Sequence, residues 1–525
     1  MNVLIIDIDS LRADHLGCYG CDRGTSPTID ELADEGIVFD NCYASDTPCL
    51  PSRTALATCR FGANSGVVTH YGDGQWYAHP GIGHDPDYDR PLSFRLLAEE
   101  GVHTASVSSF SQRHLAYHFS GSFQETIQPT ATAGTTATED CNDVTPIATD
   151  WIRRHADRDD WLLHVNYWDV HHPYDGIDEF VDPVRSSGPA PDWPDESALE
   201  EHRRTTGPRS ATQWPTADAY DRSTGTDDLL DHGEWGMPVE FDDRAAVEHL
   251  VDGYDASIRK VDAEVTTLLE ALEDAGIREE TAVVVTADHG EALGEHGVYA
   301  EHALPHPPCQ QVPMIISWPG ETDEAAGCHV DEQVYQFDLM PTVCDLFDVP
   351  VPSGWDARSF APALRGDAFD GRETIVSGHG IYTFGRAVYR GKWMYARFLH
   401  PGVFHYPGMY NDPDLPDGGR ELLHDLDADP HMTTNLVEDR PEKAAELRSE
   451  LDAWITDRVS DGWAERRPPS SRGTEPLATM TSWGPYLYVD PEATLVAYRE
   501  GDWSENQVAA VERSLREYPR DRPPK

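Results

Sequence analysis

Lysine is scarce in this 525-residue chain: only Lys260, Lys392, Lys443 and Lys525 occur, and the formal net charge is −54. Because nucleic-acid phosphates are bound by basic surfaces, this balance argues against a nucleic-acid partner. A spread acidic excess keeps a protein dissolved but makes its compact state repel itself at low salt, as in halophiles. We therefore expect a salt-loving host, ahead of a polycationic partner.

The chain also lacks any apolar run long enough to cross a bilayer or to act as a cleaved leader. Its first two residues lead directly into the apolar residues 3–6, without a basic region. The nine cysteines show no CxxC-type spacing, which favours free thiols over a disulfide framework. We expect a cytoplasmic protein without a membrane partner.

Strand-like and helix-like segments alternate over the first 370 residues. Strands are predicted at 3–8, 37–39, 102–108, 161–167, 281–287 and 312–318, and helices at 28–35, 94–101, 147–155 and 246–275. The last helix has apolar residues at three- and four-residue spacing, and Gly276 ends it. Near-continuous apolar strands that alternate with helices predict an α/β fold with a large, mostly parallel sheet flanked by helices.

Composition divides the chain into three predicted parts. Residues 1–370 form an α/β catalytic domain, residues 371–465 a smaller C-terminal subdomain with an antiparallel sheet, and residues 466–525 an extension. The subdomain has strand-like segments at 387–398 and 421–426 and an amphipathic helix at 442–458, and a final helix is predicted after residue 504. Residues 126–142 are predicted to form a loop. Residues 175–245, rich in Pro, Gly, Ser, Thr and Asp, are predicted to form a partly ordered insertion that covers a site.

The most informative stretch is Cys49-Leu50-Pro51-Ser52-Arg53. Pro51 fixes its own φ and biases Leu50 towards an extended conformation, which predicts that Cys49 lies on a rigid loop entering a helix. Backbone N–H groups at the helix start, and Arg53 one turn on, would then surround Cys49. This arrangement suits a nucleophile that attacks an anionic ester. On these five residues alone, however, a structural cysteine buried beside a helix cap is a competing interpretation.

Two further segments place polar side chains after predicted strands. Asp9 follows residues 3–8, and Asp288-His289 follows residues 281–287. Ligands collect at the carboxyl ends of parallel strands, and oxygen-rich donors suit a hard divalent cation. An Asp-His pair alone caps helices just as readily. Together with Cys49 and Arg53, these residues indicate one site at the edge of the sheet.

These segments resemble those of the type I sulfatases of the alkaline phosphatase superfamily. The resemblance covers roughly residues 2–460 and rests on N-V-L-I-I-D-I-D-S-L-R-A-D-H-L-G, D-V-H-H-P-Y, A-D-H-G-E-A-L-G-E-H-G, V-P-M-I-I-S-W-P-G and the signature C-x-P-S-R-x-x-x-L-x-T-G, in which Cys59 replaces the final glycine. It implies that a formylglycine-generating enzyme oxidises Cys49 to formylglycine. It also implies hydrolysis of a sulfate monoester to an alcohol and inorganic sulfate, with a small sulfated substrate such as a sulfated sugar.

Carried over position by position, the resemblance implies one divalent metal, calcium ahead of manganese, magnesium or zinc. Its ligands would be Asp9, Ser10, Asp288, His289 and the formylglycine made from Cys49. Arg53 would steady the hydrated aldehyde, one hydroxyl of which attacks sulfur. His171 would contact the sulfate or protonate the leaving oxygen, and elimination of sulfate would restore the aldehyde.

Three positions depart from the family pattern. Ser10 is a neutral residue where many relatives have a second aspartate. In the segment that corresponds to G-K-W-H-L-G, Gln112 stands at the lysine position and is followed by Arg113 and His114, and His302 stands where relatives often carry another lysine. We predict that His302 and the Arg113-His114 pair jointly replace these lysines at the sulfate.

The remaining histidines and two other functions stay open. His70 is as well explained by an ordinary loop as by substrate binding, and His172, His296 and His306 are predicted to be structural or surface residues. A phosphonate monoester or phosphodiester hydrolase shares the fold and the formylglycine motif. A non-catalytic binding protein would result if Cys49 were never oxidised.

Overall fold

The computed structural model describes residues 1–70, 77, 91–129, 139–205, 234–238, 241–302, 304–381, 383–400, 421–460, 499 and 512. In these ranges the strands are β1 (Asn2–Ile8), β2 (Ile37–Phe39), β3 (Cys42–Tyr43), β4 (Asp46–Thr47), β5 (His103–Val107), β6 (Glu125–Ile127), β7 (Trp161–Tyr167), β8 (Thr281–Thr286), β9 (Ala292–Leu293), β10 (Tyr299–Glu301), β11 (Met314–Ser317), β12 (Cys328–Val330), β13 (Val334–Tyr335), β14 (Ile375–Ile381), β15 (Thr383–Arg390), β16 (Trp393–His400) and β17 (Glu421–Asp425).

The α-helices of the same ranges are α1 (Pro27–Glu35), α2 (Cys49–Thr58), α3 (Gly62–Ser65), α4 (Ser93–Glu99), α5 (Phe110–Arg113), α6 (Tyr117–Ser120), α7 (Cys141–His155), α8 (Asp178–Ser187), α9 (Glu196–Thr205), α10 (Arg244–Asp274), α11 (Pro307–Gln310), α12 (Leu339–Leu346), α13 (Ala361–Leu364) and α14 (Pro441–Ser460). Short 3₁₀ turns occur at Ala13–His15, Gly17–Tyr19, Arg278–Glu280, Glu295–Gly297, Asp323–Ala325 and Gln336–Asp338. None of the helices within the described ranges combines the length and the apolar character needed to cross a bilayer.

The large sheet has eight strands in the order β12-β2-β11-β8-β1-β7-β5-β6. β1 lies between β7 and β8 and is parallel to both, and each of its seven residues is buried. The predicted large, mostly parallel sheet flanked by helices is therefore confirmed. β11 is the exception, since it runs antiparallel to both β8 and β2. A parallel neighbour normally requires a long crossover helix to bring the chain back. The described residues between β8 and β11 contain no such helix, so β11 can pair with β8 in the antiparallel direction.

Helix α10 is the longest helix of the described ranges. Asp243 caps it by accepting a hydrogen bond from the Ala246 N–H, and Gly276 follows its end with a φ of +72°. Its apolar stripe, which includes Val247, Leu250, Val265 and Leu272, is buried and belongs to the main core. The helix predicted at 246–275 thus extends from 244 to 274.

A second sheet has the strand order β17-β16-β15-β14-β4. β14 to β17 are antiparallel, whereas β4, two residues before Cys49, pairs with β14 in parallel. The single strand-like segment predicted at 387–398 was wrong, because the chain turns at Gly391, with a φ of +55°, and forms the two strands β15 and β16. Helix α14 packs on this sheet through Ala444, Leu447 and Leu451.

Other boundaries also differ from the predictions. Helix α7 begins at Cys141, six residues before the predicted start, because the Asp140 side chain caps it by accepting from the Asn142 N–H. Within the predicted insertion, the helices α8 and α9 are described, while 206–233 and 239–240 lie outside the described residues, as do 130–138 of the predicted loop. The helix predicted after residue 504 also lies outside them, and the three-part division of the chain stays a prediction.

Candidate active site

Asp9 and Asp288 lie side by side at the carboxyl end of the large sheet. Asp9 directly follows β1 and Asp288 comes two residues after β8, and the parallel register pairs Asp7 of β1 with Thr286 of β8. Both carboxylates are fully buried. Ser10 has a φ of +60°, and its backbone N–H points at the Asp288 carboxylate, 3.3 Å from Oδ1. The strand ends therefore meet as the apolar runs of the sequence predict.

Cys49 was predicted to lie on the loop that enters a helix. In the structure it is instead the first residue of helix α2. Pro51 is tolerated in this first turn because N–H groups there have no partner within the helix. The Sγ atom of Cys49 lies 3.1 Å from Nε2 of His289. Burial raises the pKa of the Cys49 thiol well above its usual value, and the carboxylates of Asp9 and Asp288 raise it further. An unmodified Cys49 is thus a protonated thiol and a weak nucleophile.

One ligand atom from each of Asp9, Cys49, Asp288 and His289 lies within 4.8 Å of the others. Nδ1 of His289 donates to the Gly290 carbonyl at 2.8 Å, which leaves the Nε2 lone pair facing Asp288 Oδ2 at 3.4 Å and Asp9 Oδ1 at 3.8 Å. Burial lowers the pKa of His289 to about 3, so the imidazole is neutral near pH 7. Acceptor atoms that converge in this way, with mixed oxygen, nitrogen and sulfur donors, fit a divalent cation.

Arg53 provides the positive charge that faces these carboxylates. The guanidinium is fully buried and donates to Asp7 at 2.6 and 3.1 Å, to Asp9 at 2.9 Å and to Asp288 at 2.6 Å. Sequence reasoning missed Asp7, which also contacts Nε2 of His164 at 3.1 Å. A charged residue inside the apolar run of β1 was the signal that could have revealed it, since such residues are almost never buried unpaired.

The carboxylates of Asp9 and Asp288 have pKa values shifted in opposite directions. Burial by itself would raise the pKa of Asp9, but the Arg53 charge and the nearby His289 outweigh it and hold that pKa well below its usual value. Burial raises the pKa of Asp288, and the neighbouring Asp9 and Asp7 carboxylates oppose the lowering effect of Arg53. Two carboxylates that compete for one guanidinium would both be ionised more easily beside a further cation.

Arg113 brings a second guanidinium to the same place. It ends α5, lies 3.8 Å above the ring of Trp168, and has Nη1 3.9 Å from Oδ2 of Asp9. The group is buried; Nη2 donates to Ser109 at 3.0 Å, while Nε and Nη1 have no hydrogen-bond partner among the described residues. Burial lowers the pKa of Arg113 from its usual value, although arginine stays cationic. Donors without partners, next to the Cys49 cluster, suit an anionic ligand.

The predicted histidines surround the same cluster. The His302 ring lies 4.3 Å from that of His289 and 5.3 Å from that of His171, and the rings of His70 and His114 are 4.6 Å apart. Nε2 of His70 accepts from the Leu50 N–H at 3.1 Å, which ties it to the Cys49 segment. The fold therefore brings every predicted site residue into one region.

His302 is held by acidic neighbours that sequence reasoning missed. Its Nδ1 lies 3.6 Å from both Glu291 and Glu301. Burial would lower the pKa of His302, but these two carboxylates outweigh it and raise the pKa to about 9. His172, predicted to be structural or at the surface, is half-buried and faces the fully buried Glu291 at 3.6 Å. His296 and His306 lie elsewhere, with ring centroids 5.7 Å apart.

A large, mostly parallel sheet with Asp, His and Cys side chains at the carboxyl ends of its strands is the arrangement that the resemblance to the alkaline phosphatase superfamily predicts. The family model described as Sulfatase matches residues 1–349. The chain belongs to the sulfatase family, whose members hydrolyse sulfate esters.

Individual relatives agree with this assignment over most of the chain. The Delta 4,5-hexuronate-2-O-sulfatase of Bacteroides thetaiotaomicron is 24% identical over 476 residues, which cover 87% of this chain and 89% of that protein. A solved 2-O GAG sulfatase has a TM-score of 0.63 and 22% identity, covering 88% of this chain and 93% of its own. The phosphonate monoester hydrolase of Agrobacterium radiobacter has a TM-score of 0.63 and 18% identity, covering 90% and 100%. At identities of 22% and 18%, the likeness to these two structures is evidence for a shared fold and not for a shared activity.

Proposed function

We propose that this sulfatase cleaves the sulfate monoester of a small sulfated sugar, with formylglycine at position 49 as the nucleophile and one divalent metal beside it. The observation that carries the proposal is the convergence of Asp9, Cys49, Asp288 and His289, whose ligand atoms lie within 4.8 Å of one another. Sulfate ester hydrolysis needs a positioned nucleophile, cations at the non-bridging oxygens and an acid for the leaving group. The residues around position 49 offer all three.

The metal would be held by Asp9, Asp288, His289 and residue 49. Calcium is our first choice because carboxylates dominate the set, with manganese, magnesium or zinc as alternatives. The ion would supply positive charge next to the sulfate oxygens. Ser10 is the weakest candidate ligand, since its hydroxyl already donates to Asp9 Oδ1 at 3.2 Å. Arg53 favours the ionised form of both carboxylates, and a bound cation would add to this effect at Asp288, whose pKa burial raises.

The other residues take up roles around the ester. The hydrated aldehyde at position 49 supplies the attacking hydroxyl. Arg113 and His302 face the cluster as cations and would hold the sulfate oxygens, with His114 and His70 beside them. His171, stacked 3.8 Å from the Trp168 ring with its Nδ1 donating to the His172 carbonyl, would present its other nitrogen to the leaving oxygen.

The substrate class rests on the relatives and on charge. The named relatives act on a hexuronate or a GAG, which favours a sulfated sugar for this chain as well. The formal charge of −54 would repel a long polyanion at low salt, so we favour a small or already cleaved sugar. Cytoplasmic location and maturation by a formylglycine-generating enzyme stay predictions.

A phosphonate monoester or phosphodiester hydrolase is the second candidate, because the phosphonate monoester hydrolase from Agrobacterium is covered over its whole length. The two activities are separated by comparing kcat/KM for an aryl sulfate, an aryl phosphodiester and a phosphonate monoester. A preference for the sulfate ester supports our proposal, and a preference for a phosphorus ester replaces it with the second candidate.

Mass spectrometry of the peptide containing Cys49 tests the nucleophile. Formylglycine is about 18 Da lighter than cysteine, and this loss must be separated from other oxidation products of the thiol. Cys49→Ala should abolish turnover while the fold is retained. Cys59→Gly is the matched control. Cys59 directly follows α2 with a φ of +55°, which glycine adopts without strain, and the family signature has glycine at this position. Unmodified cysteine in fully active enzyme would contradict the mechanism. Unmodified cysteine in a protein without activity would favour the alternative of a non-catalytic binding protein.

A further inference from the structure

Three side chains outside the active site converge at one edge of the large sheet. His103 begins β5, Glu125 begins the edge strand β6, and His155 ends α7. One ligand atom from each lies within 4.8 Å of the other two. His103 is level with Asn2 at the start of β1, whereas Asp9 follows the end of that strand. At about 3.3 Å per residue, about 20 Å of strand separates this cluster from the active site.

Hydrogen bonds orient both imidazoles towards the same carboxylate oxygen. Nδ1 of His155 donates to the Trp151 carbonyl at 2.8 Å, which leaves the lone pair on Nε2, 4.0 Å from Glu125 Oε1. Nδ1 of His103 lies 2.9 Å from Gln124 Oε1, and its Nε2 is 2.9 Å from the same Glu125 oxygen. The Trp151 indole N–H donates to Glu125 Oε2 at 3.0 Å and fixes the carboxylate. Histidines that ligate metals are held in this way, with the second ring nitrogen bonded to an acceptor.

The distances and the donor types fit a transition metal better than calcium. Zinc bonds of about 2.0–2.2 Å in a tetrahedral arrangement place neighbouring ligand atoms about 3.3 Å apart, and the two observed nitrogen–oxygen distances of 2.9 and 4.0 Å lie on either side of that value. Two imidazoles with one carboxylate are ligands that zinc prefers, whereas calcium takes six or more oxygens. The carboxyl end of α7 adds partial negative charge. The Glu125 side chain is 38% exposed, so solvent can reach the cluster and supply a fourth ligand.

We propose that His103, Glu125 and His155 form a second metal site, distinct from the catalytic one, that binds zinc or a similar divalent transition metal. β6 has three residues and pairs only with β5 among the described strands. A metal bound to these three residues joins β6, β5 and α7 at a sheet edge that backbone pairing leaves weakly held. The site is therefore structural, and it acts on stability and not on the sulfate ester.

The stoichiometry of zinc binding tests the proposal on the full-length protein. The protein is dialysed against a small molar excess of zinc in calcium-containing buffer and then against zinc-free buffer, and bound zinc is counted by elemental analysis. His155→Ala and His103→Ala should each bind one zinc per chain fewer than the wild type, whatever the catalytic cluster holds. His329→Ala is the matched control, because His329 contacts a single carboxylate, Asp40, at 2.7 Å without a second histidine. It should bind as much zinc as the wild type.

Thermal melting gives the second measurement. Zinc should raise the midpoint of the wild type and of His329→Ala more than that of His155→Ala, while turnover of a sulfate ester stays the same in all three. If His155→Ala does not fold, Glu125→Gln takes its place, since its amide oxygen can still accept from Trp151. Equal zinc counts in the wild type and the cluster variants would overturn the proposal and leave the cluster as a contact between His103 and Glu125 without a metal.

Discussion

Lys260 holds the loop that carries His171, and its replacement gives the sharpest test of the structure. Lys260 lies on α10 with its side chain 4% exposed, and its ammonium group is 2.7 Å from both Asp140 and Asp169. It also donates to the Asp175 carbonyl at 3.0 Å. Asp169 comes two residues before His171 and is 3% exposed. Lys260→Met removes the charge and keeps most of the side-chain volume.

The expected loss of stability is about 3–5 kcal/mol at pH 7.5. Removing one partner of a buried ion pair has about this effect, because Asp169 is left charged and unpaired in the interior. Asp140 adds less than about 1 kcal/mol, since it is 37% exposed and regains water.

The pH dependence follows from the direction in which the pKa of Asp169 shifts. Burial already raises the pKa of Asp169 from its usual value against the effect of Lys260, and without Lys260 the pKa rises further. The folded variant then binds more protons than the unfolded chain, so its stability falls as the pH rises above about 4. We therefore expect the difference in unfolding free energy between the variant and the wild type to be smaller at pH 5 than at pH 7.5.

Urea unfolding at pH 5 and 7.5, with kcat measured alongside, checks this prediction. The loop should be displaced, so kcat should fall in Lys260→Met. Lys443→Met is the control, because Lys443 pairs with the exposed Glu446 of α14 at 2.6 Å, and an ion pair in water contributes little to stability. Equal losses in the two variants, or a Lys260→Met loss that does not grow with pH, would refute the reasoning.

Three further predictions concern the sulfate-binding residues and salt. Arg113→Ala should lower kcat/KM about a hundredfold by removing a donor to developing charge, and Arg113→Lys should recover part of it. His302→Ala should lower kcat/KM, while His302→Lys, which keeps the cation beside Glu291, should retain most activity; a silent alanine variant would make His302 an ordinary loop residue. Thermal midpoints should rise between low and molar KCl, since a Debye length of about 3 Å at 1 M screens the 54 excess negative charges. A flat or falling midpoint would remove the halophilic interpretation.

The large sheet and the convergence of the site could be predicted because they depend on local signals. The apolar runs that became β1, β7 and β8 identify strands buried on both faces, and polar residues at their carboxyl ends must then meet. Cys49 and Arg53 are four residues apart in one helix, which puts them on the same face. The roles given to these residues stay predictions.

What could not be predicted depends on contacts between distant segments. The stacking of Arg113 on Trp168 and the contact of His302 with Glu291 join different loops, and no spacing in the sequence encodes them. The sequence predicts one strand in place of the β15–β16 hairpin because apolar runs at 387–389 and 393–396 lie on both sides of the turn, where Gly391 is the main turn signal. The two-residue strand β4 is too short to show any periodicity.

The pairing of β4 with β14 also affects the order of events during synthesis. Thr47 contacts Gly378 and His379 of β14, and 331 residues separate Thr47 from Gly378. A ribosome that adds about 5–20 residues per second needs roughly 15–65 s to cover this distance. During that interval the strand next to Cys49 has no β14 to pair with, whereas in the finished fold Cys49 is only 1% exposed. If Cys49 is converted to formylglycine as proposed, the nascent chain would give the modifying enzyme a period of access to the thiol that ends when the second sheet forms.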